Sequence, residues 1–512
     1  MLLTSAAASQ SFTVTLANEV ATARFAADIA CALEPGDLVT LSGDLGAGKT
    51  AFARALIRHL ADDATIEVPS PSFTLVQTYE LPRFSLLHAD LYRLSDAAEL
   101  SELGFDDLPD QAVVLMEWAD RAASVLPPDR LDITFTLAPS RGRDVRHARF
   151  TGHGAFAARA ERIALVRSFL DETGFGKAER RRLKGDASTR VFERLTRGEK
   201  TFVFMNAPAR PDGPPVRHGK PYSAIARLAE DTVPYVAVAS GLREREISAP
   251  AILHADTDRG LIVMEDLGND LIVAGDPPAP IPARYESAVD LLVSLHRHPP
   301  PERLADDYRL PPYDMEAFLI EAELLLDWYL PHRQAPASDK ARAAFRALWL
   351  QALAPAVEAP PTFVLRDYHS PNLLWLKDRA DAARVGVLDF QDAVLGPAAY
   401  DVASLLQDAR ADVPEALELS LLGRYVRGRL DAEEGFDAAA FAQLYATLGA
   451  QRTTKVLGIF ARLDRRDGKP QYLRHFPRIW DYLQRSLAHP ALAPLKAWYA
   501  ANVPPPVSAM KE

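Results

Sequence analysis

Residues 43–50 read Gly43-Asp-Leu-Gly-Ala-Gly-Lys-Thr50. This is a complete P-loop string, G-x-x-x-x-G-K-[ST]. Gly43, Gly46 and Gly48, with Ala47 between the last two, let the backbone turn tightly and aim its N–H groups at phosphate oxygens. Lys49 is placed to reach the β- and γ-phosphates of ATP, and the Thr50 hydroxyl to hold Mg²⁺. The flanks agree with the string. Before it, Asp37-Leu-Val-Thr-Leu-Ser42 is an apolar run of strand type. After it, Ala51 to Leu60 has a helical pattern. Strand, glycine loop and helix N-terminus together make an anion site. The front of the chain is therefore expected to be an α/β P-loop NTPase domain.

Working outward, 512 residues allow two to four domains at a prior of roughly 150 residues each. Apolar content of 48% with 25% charged residues is globular composition. A net charge of −11 argues against broad electrostatic binding of nucleic acid. The single cysteine, Cys31, lies in an apolar run and reads as core; one cysteine builds no intrachain disulfide, which fits a reducing cytoplasm. The N-terminus lacks the charged n-region of a signal peptide, and no apolar run approaches roughly 18 residues, so no membrane span is expected.

The first unit is expected over residues 1–155. Strands are predicted at 73–79, 84–89 and 112–116, then a hairpin over 131–137 and 144–150 with its turn at 140–143. A helix from Arg159 to Glu172 opens the second unit, expected over 160–500. Its first lobe, about 160–270, carries strands at 192–195 and 201–205. Its second lobe, about 285–500, is helical, with one helix predicted from Met315 to Tyr329. Residues 208–221 read as loop, and the tail from Pro504 as disordered.

Hydrolysis of ATP needs a second acid near Mg²⁺ and a group to order water. The strand at 113–116 ends in Glu117-Trp118, so Glu117 is expected as the metal-side acid. Asp90 ends another apolar strand and is a candidate to orient water or position a switch segment; a turn-forming or helix-capping aspartate is the plainer reading. Ser70-Pro-Ser-Phe-Thr74 reads as a mobile loop whose hydroxyls sense phosphate.

Taken in order, the P-loop, Ser70-Pro-Ser-Phe73, His88-x-Asp-x-Tyr-Arg-Leu94, Glu102-Leu-Gly-Phe-Asp106 and Glu117-Trp-Ala-Asp-Arg121 resemble the TsaE family over about the first 150 residues. The resemblance implies an ATPase needed for threonylcarbamoyladenosine formation in tRNA, working with TsaB and TsaD. It implies that Thr50 and Glu117 flank Mg²⁺ and that Trp118 is functionally required. Direct contact with tRNA is not expected.

The second site is carried by Leu365-Arg-Asp-Tyr-His-Ser-Pro-Asn-Leu-Leu374. Asp367 and Asn372 have the D-x-x-x-x-N spacing of a kinase catalytic loop. Asp367 would accept the proton of a substrate hydroxyl and Asn372 would bind Mg²⁺. The strand at 383–388 ends in Asp389-Phe390, where a second metal-binding aspartate belongs. Asp401 either caps the following helix or braces the catalytic loop. Upstream, Lys184 to Arg190 reads as a turn over nucleotide phosphates, with Gly185 and Ser188 as contacts. Leu261 to Gly268 reads as a strand running into a hinge, where the backbone of Glu265 and Leu267 would meet adenine.

These motifs resemble the aminoglycoside phosphotransferase and choline kinase superfamily, with an α+β, protein-kinase-like, two-lobed fold. More narrowly they resemble the AmgK sugar kinases over about 160–490. That resemblance implies phosphorylation of the anomeric hydroxyl of N-acetylmuramate and N-acetylglucosamine in cell-wall recycling. A kinase for choline, an aminoglycoside or another sugar, and a non-catalytic nucleotide-binding module, stay open. Two departures stand out. Leu365 occupies a position usually held by histidine, and the strand 201–205 lacks the usual phosphate-pairing lysine, for which Lys184, Arg190 or Lys220 would substitute. Tyr313, Trp328, Tyr329, His369 and Arg452 are the acceptor-side candidates.

Overall fold

The computed structural model describes residues 10–94, 112–142, 144–183, 190–209 and 212–506. The Glu102–Asp106 motif, Gly185 and Ser188 lie outside the described residues. The chain divides into two compact units, residues 1–206 and 207–512.

The first unit is built on a mixed seven-stranded sheet. Its strands are β1 (Ser11–Leu16), β2 (Leu38–Ser42), β3 (Val76–Glu80), β4 (Ser85–Asp90), β5 (Val113–Glu117), β6 (Arg130–Leu137) and β7 (Arg146–His153). Their order is β1-β7-β6-β2-β5-β4-β3. The centre is parallel: β2 lies between β5 and β6, and β4 lies beside β5. Strands β2 and β5 are almost wholly buried and apolar, as strands covered on both faces must be. Helices α1 (Glu19–Ala32) and α2 (Lys49–Ala61) pack Phe25 and Phe52 against Phe135 and Phe150, with ring centroids 5.4–5.6 Å apart. The expected strands and hairpin are present. Strand β1 was not anticipated from sequence, although Ser11-Phe-Thr-Val-Thr-Leu16 alternates and pairs antiparallel with β7.

Helix α3 (Ala157–Glu172) also belongs to this unit, with Ala160 and Ile163 packed into its core. Strands β8 (Glu179–Arg182), β9 (Val191–Arg197) and β10 (Lys200–Asn206) follow as an antiparallel meander. Compact packing therefore continues past residue 155 to 206. Arg180 of β8 is buried between Glu193 of β9, at 2.7 and 2.9 Å, and Asp28 of α1. Arg167 of α3 shares Asp28 at 2.5 Å. Burial pushes the Asp28 carboxyl upward against the two arginines. Removing one partner from such a buried set strands the others without compensation. Cys31 is half-buried in α1, and burial beside Glu193 raises its thiol pKa.

The second unit is mainly helical. The elements that matter for its site are β11 (Ile252–Asp256) and β12 (Leu261–Glu265), α4 (Pro282–His296), α5 (Met315–Ala322), β13 (Thr362–Val364), β14 (Leu373–Trp375), β15 (Val385–Val387), β16 (Val394–Gly396), α6 (Ala399–Leu406), α7 (Ala438–Asp467) and α8 (Phe476–Leu487). Strand β13 pairs with β16, and β14 with β15, both antiparallel. The helix predicted over 315–329 is not continuous: α5 ends at Ala322 and a π-helical turn spans Leu325–Tyr329. The start of the tail is pinned, because Pro504 O accepts from the Tyr329 hydroxyl at 3.0 Å and Pro505 O from Arg333 at 3.1 Å. No described helix is long and apolar enough to cross a membrane.

Candidate functional sites

The front site lies where parallel strands end. The P-loop leaves the C-terminal end of β2, Glu117 ends β5 and Asp90 ends β4, with Leu41, Glu117 and Asp90 aligned in register. Open α/β sheets bind ligands at this edge. Gly43 has φ +132°, and a Cβ there would come 2.3 Å from Phe135 O, so the turn admits no side chain. Gly48 has φ +112° and passes the chain into α2.

Thr50 Oγ1 donates to Glu117 Oε2 at 2.8 Å, and the His88 ring contacts Glu117 Oε1 at 3.0 Å. Glu117 is 1% exposed, which excludes the reading of a surface glutamate. Lys49 Nζ donates to Gly43 O at 2.6 Å and Asp44 O at 3.0 Å. Burial lowers its ammonium pKa, while Glu117, Asp120, Asp90 and Asp44 pull it back up. Trp118, at φ +60°, turns its indole over the same ammonium, 3.5 Å from ring centroid to Nζ. That cation–π contact gives Trp118 a physical place beside Lys49.

Asp90 holds two groups at once. Its carboxylate accepts from the Ser70 hydroxyl at 2.6 Å and from Tyr92 N at 3.0 Å. The plain turn-forming role is thus real, and the other oxygen ties the Ser70 loop to the sheet edge. His88 was given no role from sequence. Its signal was there: His88 and Asp90 are two apart on β4 and face the same side.

In the back unit the catalytic loop is held from elsewhere in the chain. Asp401, in the first turn of α6 with no exposure, accepts from Leu365 N at 2.7 Å and Arg366 N at 2.9 Å. The N-cap of that helix is Ala398, so Asp401 braces the loop and does not cap. His296 of α4 lies 3.7 Å from Asp401. An imidazole therefore comes from another helix where Leu365 supplies none. Arg366, at φ +67°, is buried against Glu321 and donates to Ala226 O at 2.9 Å and Arg227 O at 3.1 Å. Strained non-glycine backbone of this kind persists only where its surroundings over-determine it.

Asp367 follows, still partly open, with a side chain 35% exposed. Asn372 Nδ2 donates to Asp367 O at 2.9 Å, and Leu388 N donates to Asn372 O at 2.9 Å. Because Leu373 pairs with Val387, Asn372 and Asp389 emerge at the same end of the β14–β15 ribbon. Asp389 has φ +55° and accepts from Gln391 at 3.0 Å. The Glu265 side chain is spent on Arg379 at 2.6 Å and Ala251 N at 3.1 Å, and its N–H on Ala251 O at 2.8 Å, which leaves its carbonyl for a base. Lys220 is exposed in a short hairpin, where it pairs with Arg217.

Two acceptor-side candidates are core residues. Tyr313 stacks on Phe318 at 3.9 Å and donates to Glu321, and Tyr329 has no exposure. Aromatic faces at helical spacing were filling the interior. His369 and Arg452, in contrast, both act electrostatically on Asp367.

Residues 16–145 match the family described as Threonylcarbamoyl adenosine biosynthesis protein TsaE, and residues 179–444 match the Phosphotransferase enzyme family. The N-acetylmuramate/N-acetylglucosamine kinase of Caulobacter vibrioides is 42% identical over 361 residues, covering 67% of this chain and 98% of that protein. The protein of the same description from Pseudomonas aeruginosa is 33% identical over 316 residues, covering 60% and 84%. The tRNA threonylcarbamoyladenosine biosynthesis protein TsaE of Rickettsia typhi is 37% identical over 129 residues, covering 25% and 89%.

Proposed function

The chain belongs to the TsaE family in its front part and to the Phosphotransferase enzyme family in its back part, and from this premise we propose a bifunctional, ATP-using enzyme. The front part hydrolyses ATP in support of tRNA threonylcarbamoyladenosine formation, with TsaB and TsaD as partners. The back part transfers the γ-phosphate of ATP to the anomeric hydroxyl of N-acetylmuramate or N-acetylglucosamine. The functional division falls between the two family matches, at about 155–160. The setting is the cytoplasm.

The observation that carries the kinase reading is the braced loop. Asp401 fixes Leu365 N and Arg366 N, so Asp367 stands on rigid backbone with its carboxylate still open. Asp367 takes the proton of the attacking hydroxyl; the new oxygen–phosphorus bond forms as the bond to ADP breaks. Desolvation within the loop raises the pKa of this carboxyl, but the Lys455, Arg366 and Arg452 cations hold it below its usual value. It is therefore ionised and ready to accept a proton.

The oxygen donors suit Mg²⁺. Thr50 and Glu117 at the front, and Asn372 and Asp389 at the back, offer one carboxylate and one neutral oxygen each. No cluster of three or more His, Cys, Asp or Glu among the described residues is arranged for a metal. Mg²⁺ is bound in this manner, through one or two carboxylates with phosphates and water filling the rest. When bound it would neutralise charge on the β- and γ-phosphate oxygens. The contacts proposed at Gly185, Ser188, Glu265 and Leu267 complete the nucleotide set.

Phosphorus NMR of the product tests the acceptor. A sugar 1-phosphate, identified by coupling between phosphorus and the anomeric proton, is the expected result. A 6-phosphate, or turnover only with choline or an aminoglycoside, would refute the acceptor. The absent lysine in 201–205 favours a second reading, nucleotide binding without transfer; no phosphorylated product with any sugar would support it.

A further inference from the structure

Among the described residues of the back unit three arginines are buried: Arg366, Arg429 and Arg452. Arg366 is paired with Glu321, and Arg429 with Glu433 and the Tyr425 hydroxyl. Arg452, in the middle of α7, is 5% exposed, yet its side chain makes no hydrogen bond or ion pair with any described residue. None of its nitrogens is among the polar atoms sealed from both solvent and partners. They reach accessible space from an otherwise buried side chain. A guanidinium this nearly buried, with its nitrogens still reachable and no anion paired, is placed to be completed by one.

Its surroundings place it near Asp367. Gln451 is tied to Phe318 O at 3.0 Å, and Lys455, one turn further on, contacts Glu321 at 2.8 Å and Tyr400 at 3.3 Å. This stretch of α7 is thus rigidly placed. Arg452 and Lys455 both act on Asp367, and Arg452 and Arg410 both act on His369. The nearby Asp408 is occupied by the Ser370 hydroxyl and by the backbone N–H groups of Ser370 and Arg410. His369 is itself neutral, since burial and Arg410 hold its pKa down to about 4. Arg452 is therefore a cation near Asp367 with no carboxylate bonded to it. It suits an acidic acceptor and opposes a polycationic one.

We propose that Arg452 binds the carboxylate of an acidic acceptor, the lactyl ether acid of N-acetylmuramate, and sets the preference for it over neutral N-acetylglucosamine. The proposal rests on the amino-sugar kinase reading. Asp367 meets the reacting hydroxyl, and Arg452 meets the substituent that distinguishes the two sugars.

Steady-state kinetics of the full-length protein on both sugars test it, with Arg452→Gln and Arg452→Lys beside the wild type. Arg452→Gln should raise KM for N-acetylmuramate roughly 10–100-fold more than KM for N-acetylglucosamine, the worth of a charged hydrogen bond, while any change in kcat acting through Asp367 should be the same for the two sugars. Arg452→Lys should recover part of the loss. In the wild type, the methyl ester of N-acetylmuramate should show the same rise in KM, which requires no variant to fold. Equal losses on both sugars would overturn the proposal by assigning Arg452 to the transferring phosphoryl group. An ester that binds as well as the acid would overturn it too. A wild type active on neither sugar would refute the kinase reading, and this inference with it.

Discussion

At the front site, Glu117 and Asp90 end neighbouring parallel strands and Thr50 follows a third, so the sheet itself brings them together. At the back site, Asp367 sits on a loop whose shape is imposed by Asp401 on α6, by Glu321 on α5 through Arg366, and by Asp408 through Ser370. The front arrangement is local to its strands and needs few supports. The back arrangement is assembled by buried groups from several helices, so remote substitutions should damage it far more.

The sharpest contrast is between chemistry and support within the back unit. Asp367→Asn should lower sugar-kinase turnover by roughly 10²–10⁴-fold, with little change in nucleotide affinity, because it removes a general base. Asp389→Ala should weaken Mg–nucleotide binding as well. Near-normal turnover in Asp367→Asn would place the base elsewhere.

Asp401→Ala leaves two buried backbone N–H groups without an acceptor, and should cost about 2–5 kcal/mol of stability in the back unit together with kinase rate. Thermal denaturation beside kinase assays would show this. His88→Ala at the front should cost less, since Glu117 keeps its bond to Thr50. Equal damage from the two substitutions would erase the contrast between a sheet-built and a helix-braced site.

Truncation probes how far the front unit extends. A fragment ending at 155 loses Ala160 and Ile163 from the core and leaves Asp37 without Arg159, its partner at 2.5 and 2.7 Å. It should be about 2–4 kcal/mol less stable than a fragment of residues 1–206. Equal melting temperatures would mean that α3 and the β8–β10 meander contribute nothing to the front fold.

The smallest effect concerns pH. His369 has its pKa lowered to about 4 by burial, so the folded state binds fewer protons than the unfolded chain between about pH 4 and 6.5. Stability contributed by the neutral ring is present above about pH 6.5 and is lost as pH falls toward 4. Denaturation of the wild type across that window should show the decline, and His369→Gln should flatten it. Parallel curves would remove His369 as a source.

What the sequence disclosed follows the same contrast. Gly43 to Thr50, Glu117 and Asp90 were legible because each ends or begins a strand with a clear apolar pattern. Asp367 and Asn372 stood out by their spacing only when joined to the apolar strand that ends in Asp389. Three features were not legible. The choice between capping and bracing at Asp401 depends on a contact far away in sequence. His296 beside Asp401 has no spacing signal, because it arrives on a separate helix. Strand β8, Glu-Arg-Arg-Arg, reads as a solvated charge run, yet Arg180 is buried by partners on α1 and β9. Tyr313 and Tyr329 failed in the opposite sense, since an aromatic beside a polar group describes a helical core as well as a sugar pocket.

The central claim is that one chain carries two independent ATP-using sites. It is tested most directly by a crossed assay on full-length protein: Lys49→Ala and Asp367→Asn, each measured for front-unit ATP hydrolysis with TsaB and TsaD and for sugar phosphorylation. The account predicts that Lys49→Ala abolishes the first and spares the second, and that Asp367→Asn does the reverse. Loss of both activities in either folded variant would contradict it.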